Sequence, residues 1–172
     1  MKNVDHRNVD LFESVVDIAR VSKVTKGGRQ FSFRVAALVG DKKGSVGYAT
    51  AKHDEMLDAR SKAVRKAKGA MIRFPLKEGR TIHHDCFSKL GASKLFIKPA
   101  PEGTGIVAGG AMRKFCEMLG VSDIIAKSYG SSTSGIVIRN AIKAFSLVCS
   151  PEYIAGKRNR KKSKFVSGSV TQ

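Results

Sequence analysis

Two apolar-alternating runs joined by a short, basic connection containing two glycines constrain this chain more than any other feature. They lie in IARVSKVTKGGRQFSFRVAALVGD, Ile18 to Asp41. Ile18 to Val24 predicts one strand. Phe31 to Val39 predicts the next, rich in the aromatic and branched residues that suit a pleated surface. The pair therefore reads as an antiparallel hairpin. Lys23, Lys26, Gly27, Gly28 and Arg29 stand at its tip, and no acidic residue lies between Arg20 and Arg29. Adjacent glycines let the backbone turn at positive φ and come close to a partner. Their amides and the flanking cations favour an anion such as phosphate. The plainer reading is a hairpin tip with solvated charges.

Charge supports the first reading. The 172 residues hold 32 Lys and Arg against 14 Asp and Glu, a net +18, while 42% are hydrophobic. The chain can bury a core, so it is not a disordered polycation. A folded body with that surplus repels itself unless an anion is near, and nucleic acid is the first candidate, ahead of an anionic membrane. No apolar run approaches the roughly 20 residues that cross a bilayer. The N-terminal stretch lacks a signal-peptide core, and a cytoplasmic location is expected. Cys86, Cys116 and Cys149 are odd in number and form no CxxC pair, so buried thiols are expected rather than disulfides or a zinc knuckle.

The rest of the chain predicts two small domains. Residues 1–10 are polar and expected to be flexible. Residues 11–75 form the first domain. After the hairpin, Gly40-Asp41-Lys42-Lys43-Gly44 is a turn, and Ser45 to Thr50 pairs back as a third strand. A helix starts at Asp54, whose carboxylate is expected to cap it. Leu57, Val64 and Met71, with Ala63 and Ala67, form its expected buried stripe. Residues 76–156 form the second domain. Thr81 to His84, Lys94 to Lys98 and Asp123 to Lys127 read as strands. A helix with Met112, Phe115, Cys116 and Leu119 inside ends at Gly120 as a C-terminal cap. Another runs from Gly135 to Cys149 around Ile138, Ala141, Ile142, Phe145 and Cys149, and Ser150-Pro151-Glu152 suits a further short helical turn. Residues 157–172, opening with KRNRKKSK, read as a basic tail that orders against polyanion. The fold class is α+β: β-β-β-α, then β-β-α-β-α.

Several motifs invite catalytic readings. Gly103, Gly105, Gly109 and Gly110 lead into a helix, but GxGxxG needs a glycine where Ala108 stands, and no GxxxxGK[ST] occurs. Close backbone packing or a protein contact is the stronger reading. His83-His84-Asp85-Cys86 holds four ligand types in a row, yet neighbours on a strand point to opposite faces and no second cluster completes a tetrahedral site. Cys86 or Cys116 beside one of these histidines remains open as a nucleophile. Ser131 to Ser134 reads as turn and cap chemistry. No metal, cofactor or small-molecule substrate is expected.

A β-β-β-α unit with a basic surface resembles the double-stranded-RNA-binding type of module, without its usual leading helix. Longer strings are more specific: RVSKVTKGGRQFSF (Arg20–Phe33), VGDKKGSVGYA (Val39–Ala49), PAPEGTGIVAGGAMR (Pro99–Arg113), AKSYGSS (Ala126–Ser132) and SPEYIAGKR (Ser150–Arg158). In this order they closely resemble the bacterial small-subunit ribosomal protein five family, over nearly the whole chain. The resemblance implies a double-stranded-RNA-binding-like domain followed by a β-α domain shared with several nucleotide-handling enzymes. That kinship accounts for the glycine loop without requiring activity. It also implies binding of 16S ribosomal RNA near the decoding region and the channel where messenger RNA enters. Effects on decoding accuracy and messenger unwinding follow from it too. It implies RNA contact at Arg20, Ser22, Lys23, Lys26, Gly27, Gly28 and Arg29. It implies a protein interface at Gly103, Gly105 and Arg113 with small-subunit protein four, and contact of the second domain with protein eight. Arg113 sits at a helix start where a cation is unfavourable, so a partner carboxylate is expected to hold it. The chain departs from the family at Ala49 and Ala51, where glycine is usual, and in its basic Lys42-Lys43 turn. The alternatives are a free double-stranded-RNA-binding regulator and a nucleotide-dependent enzyme using the Gly103–Gly110 loop.

Overall fold

The structure is a computed structural model and describes residues 10–159. The expectation of a flexible stretch over residues 1–9, and that of a basic tail beyond Asn159, fall outside the described residues. The first strands are longer than the sequence predicts. β1 (Phe12–Thr25) pairs antiparallel with β2 (Gly28–Gly40), and β2 pairs with β3 (Ser45–His53). A short β4 (Ile72–Arg73) completes the order β1-β2-β3-β4. Ahead of Ile18 the apolar alternation is only partial, because the β1–β2 register shifts between Val15 and Asp17. The extra residue, Val16, turns to the opposite face and packs into the second core. Lys114 Nζ donates to the Val15 carbonyl at 2.9 Å.

α1 (Met56–Gly69) covers one face of this sheet. Val35, Ala37, Val39 and Ala51 pack there against Ala59, Ala63, Val64, Ala67 and Met71. Two expectations fail. Asp54 does not cap the helix: its carboxylate accepts from Ser32 Oγ at 2.9 Å, and the N-cap residue Glu55 makes no side-chain bond. Leu57 is 70% exposed. It lies about a third of the way round the helix from the Ala59–Ala63–Ala67 line, beyond the edge of the buried stripe.

The second half comprises β5 (Cys86–Leu90), β6 (Ser93–Pro99), β7 (Ile106–Val107), α2 (Gly110–Leu119), β8 (Ile124–Gly130), α3 (Ser134–Leu147) and α4 (Pro151–Lys157). Its sheet has the order β5-β6-β8-β7, with β7 parallel to β8. No strand forms over 81–84. Thr81 makes a single bridge to Lys77, and Ile82 drops fully buried into the core. The strand starts instead at Cys86, with its small polar Ser88 inward and Phe87 outward. Ser88 Oγ donates to Asn140 Oδ1 on α3, and Asn140 Nδ2 donates to the Ser93 carbonyl at 3.1 Å, so this buried polar pocket is satisfied.

The α2 face, the Gly120 cap at φ +87° and the Ser150-Pro151 helix start, where Ser150 Oγ accepts from Tyr153 N–H, match the sequence reading. Of the expected α3 stripe, Ile138, Ala141 and Phe145 are fully buried, while Ile142 and Cys149 are only partly so. α2 and α3 lie between the two sheets. Phe74, Phe115 and Phe145 meet there, with ring centroids 5.4–6.5 Å apart. Leu38 and Val46 of the first sheet join Leu95, Ile97 and Ile124 of the second in the same core. The order of layers is α1, first sheet, α2 with α3, second sheet.

Candidate nucleic-acid interface

β3 stops pairing with β2 at Phe33. Beyond it, β1 and β2 continue as a two-stranded ribbon through five further pairs, from Val21–Ser32 to Thr25–Gly28. At the usual rise the ribbon projects roughly 17 Å from the sheet. Arg20 lies at its root, and Ser22, Lys23, Lys26, Gly27, Gly28 and Arg29 along it. All seven residues implied as RNA-contacting are thus brought together on one exposed projection. They surround it rather than form one face. Pairing puts Arg20, Ser22 and Arg29 on the α1 side with Phe31, and Lys23 on the other with Gln30 and Ser32. The Arg20 guanidinium lies over the Phe31 ring, 3.8 Å from its centroid, a stacking that holds the cation without neutralising it. Among the described residues, no carboxylate pairs with Arg20, Lys23, Lys26 or Arg29.

The turn itself is Lys26-Gly27. Only Gly28, at φ +124°, takes the left-handed side expected of both glycines, and a Cβ at either would meet open space. Crowding within the chain therefore does not demand glycine here. Backbone freedom at Gly28 does.

The second glycine loop is built differently. Gly103 (φ +86°) and Gly105 (φ +74°) turn the chain ahead of β7, while Gly109 caps α2. A Cβ at Gly103, Gly105, Gly109 or Gly110 meets nothing, so close packing within this chain is not their reason. The loop hangs on Asp123, which is nearly fully buried. One carboxylate oxygen accepts from Gly105 N–H at 2.9 Å and the other from Arg80 Nη1 at 2.9 Å. The Gly105 amide first, then the Arg80 guanidinium, hold this carboxyl below the usual carboxylate range. The sequence offered no signal for Arg80 or Asp123, two charges 43 residues apart. Arg113 is exposed, and within the chain its Nη2 donates to the Ile106 carbonyl at 2.8 Å. This loop belongs to the second sheet and the ribbon to the first.

The metal and thiol readings gain no support from the described residues. Among the described residues, no group of three or more His, Cys, Asp or Glu side chains is placed to hold a metal. His84 is engaged structurally: Cys149 N–H donates to its Nε2 at 3.2 Å, and Nδ1 lies 2.8 Å from the Asp85 carbonyl. Burial pushes the Cys116 thiol up to about 12 and raises that of Cys86 as well, so neither supplies thiolate readily. No helix among the described residues is long and apolar enough to cross a membrane.

The fold and its cation-tipped ribbon define a class: a basic, two-sheet α+β protein with a projecting hairpin. Sequence comparison makes the class particular. The model of the family described as "Ribosomal protein S5, N-terminal domain" matches residues 11–75, and that of "Ribosomal protein S5, C-terminal domain" matches residues 88–158. The chain belongs to the ribosomal protein S5 family. It is 95% identical over 172 residues to the small ribosomal subunit protein uS5 of Neorickettsia sennetsu, covering all of both chains. It is 50% identical over 156 residues to that of Anaplasma marginale, covering 91% of this chain and 90% of the other. The uS5 of Wolbachia pipientis wMel is 47% identical over 166 residues, 96% of this chain and 97% of its own. The family is one of ribosomal proteins rather than of enzymes.

Proposed function

We propose that this protein is a structural, non-catalytic constituent of the small ribosomal subunit in the cytoplasm, and that its ribbon binds 16S ribosomal RNA. The observation that carries the reading is the set of cations, Arg20, Lys23, Lys26 and Arg29, that meet no carboxylate among the described residues and stand on a ribbon extending beyond β3. Cations on both faces suit a ribbon inserted between RNA segments, where each phosphate met releases counterions. Ser22 adds a hydroxyl, and Gly28 supplies the turn that presents the Lys26 and Gly27 amides. The Gly103–Gly105 loop and Arg113 face outward on a frame fixed by Asp123, as suits contact with small-subunit protein four. The second domain contacts protein eight. Decoding accuracy and messenger entrance are the processes this placement serves.

The test is a salt titration of binding to small-subunit RNA. Lys26→Glu removes a cation and adds an anion, so the slope of log affinity on log salt should fall by roughly one to two units. An unchanged slope removes Lys26 from the interface. A cellular pool that stays outside small-subunit fractions on sedimentation replaces the constituent reading with a free double-stranded-RNA-binding regulator.

A further inference from the structure

Among the described residues, the second sheet has one face covered and one largely exposed. Leu95, Ile97, Ile124 and Ala126 point inward toward α2 and α3. On the outer face the register sets Phe87 beside Phe96 beside Lys127, and, two residues along each strand, Lys89 beside Lys94 beside Tyr129. A third row runs Lys98, Ile125, Val107. Phe87 is 58% exposed and Tyr129 53%. β5 to β8 contain no Asp or Glu. Three rings and four lysines therefore share this outer face, where Phe87 and Tyr129 are exposed and Phe96 is half-buried among the described residues.

We propose that this face is a second RNA surface, a stacking platform for an unpaired RNA strand. The lysines supply charge complementarity to a polyanion. The rings lie on three neighbouring strands about 5 Å apart, and the exposed pair, Phe87 and Tyr129, offer planes on which bases stack without regard to sequence. A duplex keeps its bases stacked internally and has none to give such rings; four-stranded sheets bearing aromatics take splayed single strands. A protein partner fits less well, because protein interfaces deplete charge at their centre, and here Lys94 and Lys127 sit beside the rings. The proposal rests on the reading of the chain as RNA-binding. Its residues are separate from those of the ribbon.

The full chain is titrated by fluorescence anisotropy with two labelled probes, oligouridine and an RNA duplex. Phe87→Ala and Tyr129→Ala should each weaken oligouridine binding about tenfold and leave duplex binding within twofold. Phe87→Leu, which keeps apolar bulk without a plane, should behave like Phe87→Ala. Circular dichroism confirms that each variant folds. Lys26→Glu should fall mainly on the duplex; if it changes neither probe while the ring variants lose oligouridine, the ribbon reading fails and the platform stands. Unchanged oligouridine affinity in the double variant Phe87→Ala with Tyr129→Ala overturns the platform, as does equal loss for both probes. If ring variants keep oligouridine affinity but fail to enter small-subunit particles, the face docks a neighbouring protein and the proposal is wrong.

Discussion

Asp123 shows how one side chain sets a loop. It is a nearly buried carboxylate in a strongly basic chain, and it satisfies Arg80 and Gly105 together. Its folded carboxyl titrates below its unfolded value. The stabilisation is therefore fully present above the ordinary carboxylate range and is lost as pH falls through the folded value. Asp123→Asn should lower the urea midpoint at neutral pH and flatten its fall on acidification, so that variant and parent converge in acid. Parallel curves across the whole range would show that Asp123 carries no such linkage. Side-chain partners of this kind are the least legible part of a sequence. Asp54 illustrates it: its position before α1 suits a cap, yet the neighbouring strand offers Ser32 Oγ and takes the carboxylate.

At the scale of elements, the β2–β3 turn and α2 are fitted to each other. Lys42 N–H donates to the Met118 carbonyl at 3.2 Å, and Gly44 N–H to Leu119 at 3.0 Å. These are carbonyls that the end of a helix leaves without partners. The contact needs bare backbone on both sides. A Cβ at Gly40 would sit 2.0 Å from the Met118 oxygen, and one at Gly120 2.0 Å from the Lys42 oxygen. Gly40→Ala should cost about 3 kcal/mol, at the upper end for overpacking because backbone must move. Gly27→Ala, in open space, should stay within about 0.5 kcal/mol. Urea denaturation checks both, and equal midpoints would refute the difference. Lys42 in this turn supplies backbone at φ +53° and lays its ammonium over Phe12. Gly120 was legible as a cap, but its second reason, the Lys42 carbonyl, was not. The strand at Cys86–Leu90 was hidden because its outward positions carry Phe87 and its inward ones Ser88, the reverse of the usual alternation.

For the molecule as a whole, the two halves read from the sequence share a core. Leu38, Val46 and Tyr48 of the first sheet lie against the layer containing Phe115 and Phe145. Residues 11–75 alone would expose that face. Unfolding of the full chain should therefore be a single transition, with far-ultraviolet circular dichroism and near-ultraviolet tyrosine signals superimposing across a urea series. Two separated transitions would mean that the halves are independent. The order of the long elements, β1 to β3 with α1 and then β6, α2, β8 and α3, was legible because hydrophobic period is local, whereas the two-residue strands β4 and β7 are too short to show one. The burial of both faces of β2 was visible only as an unbroken apolar run, Val35 to Val39, which leaves the covering layers unnamed.

β2 runs without interruption from the ribbon tip at Gly28 to the α2 contact at Gly40, roughly 40 Å of extended chain. It acts as a strut. Whatever grips its far end also sets the angle at which the second sheet is held, since no hinge intervenes. Seating the tip therefore aims the remote surface, and a load applied to that surface is felt at the tip.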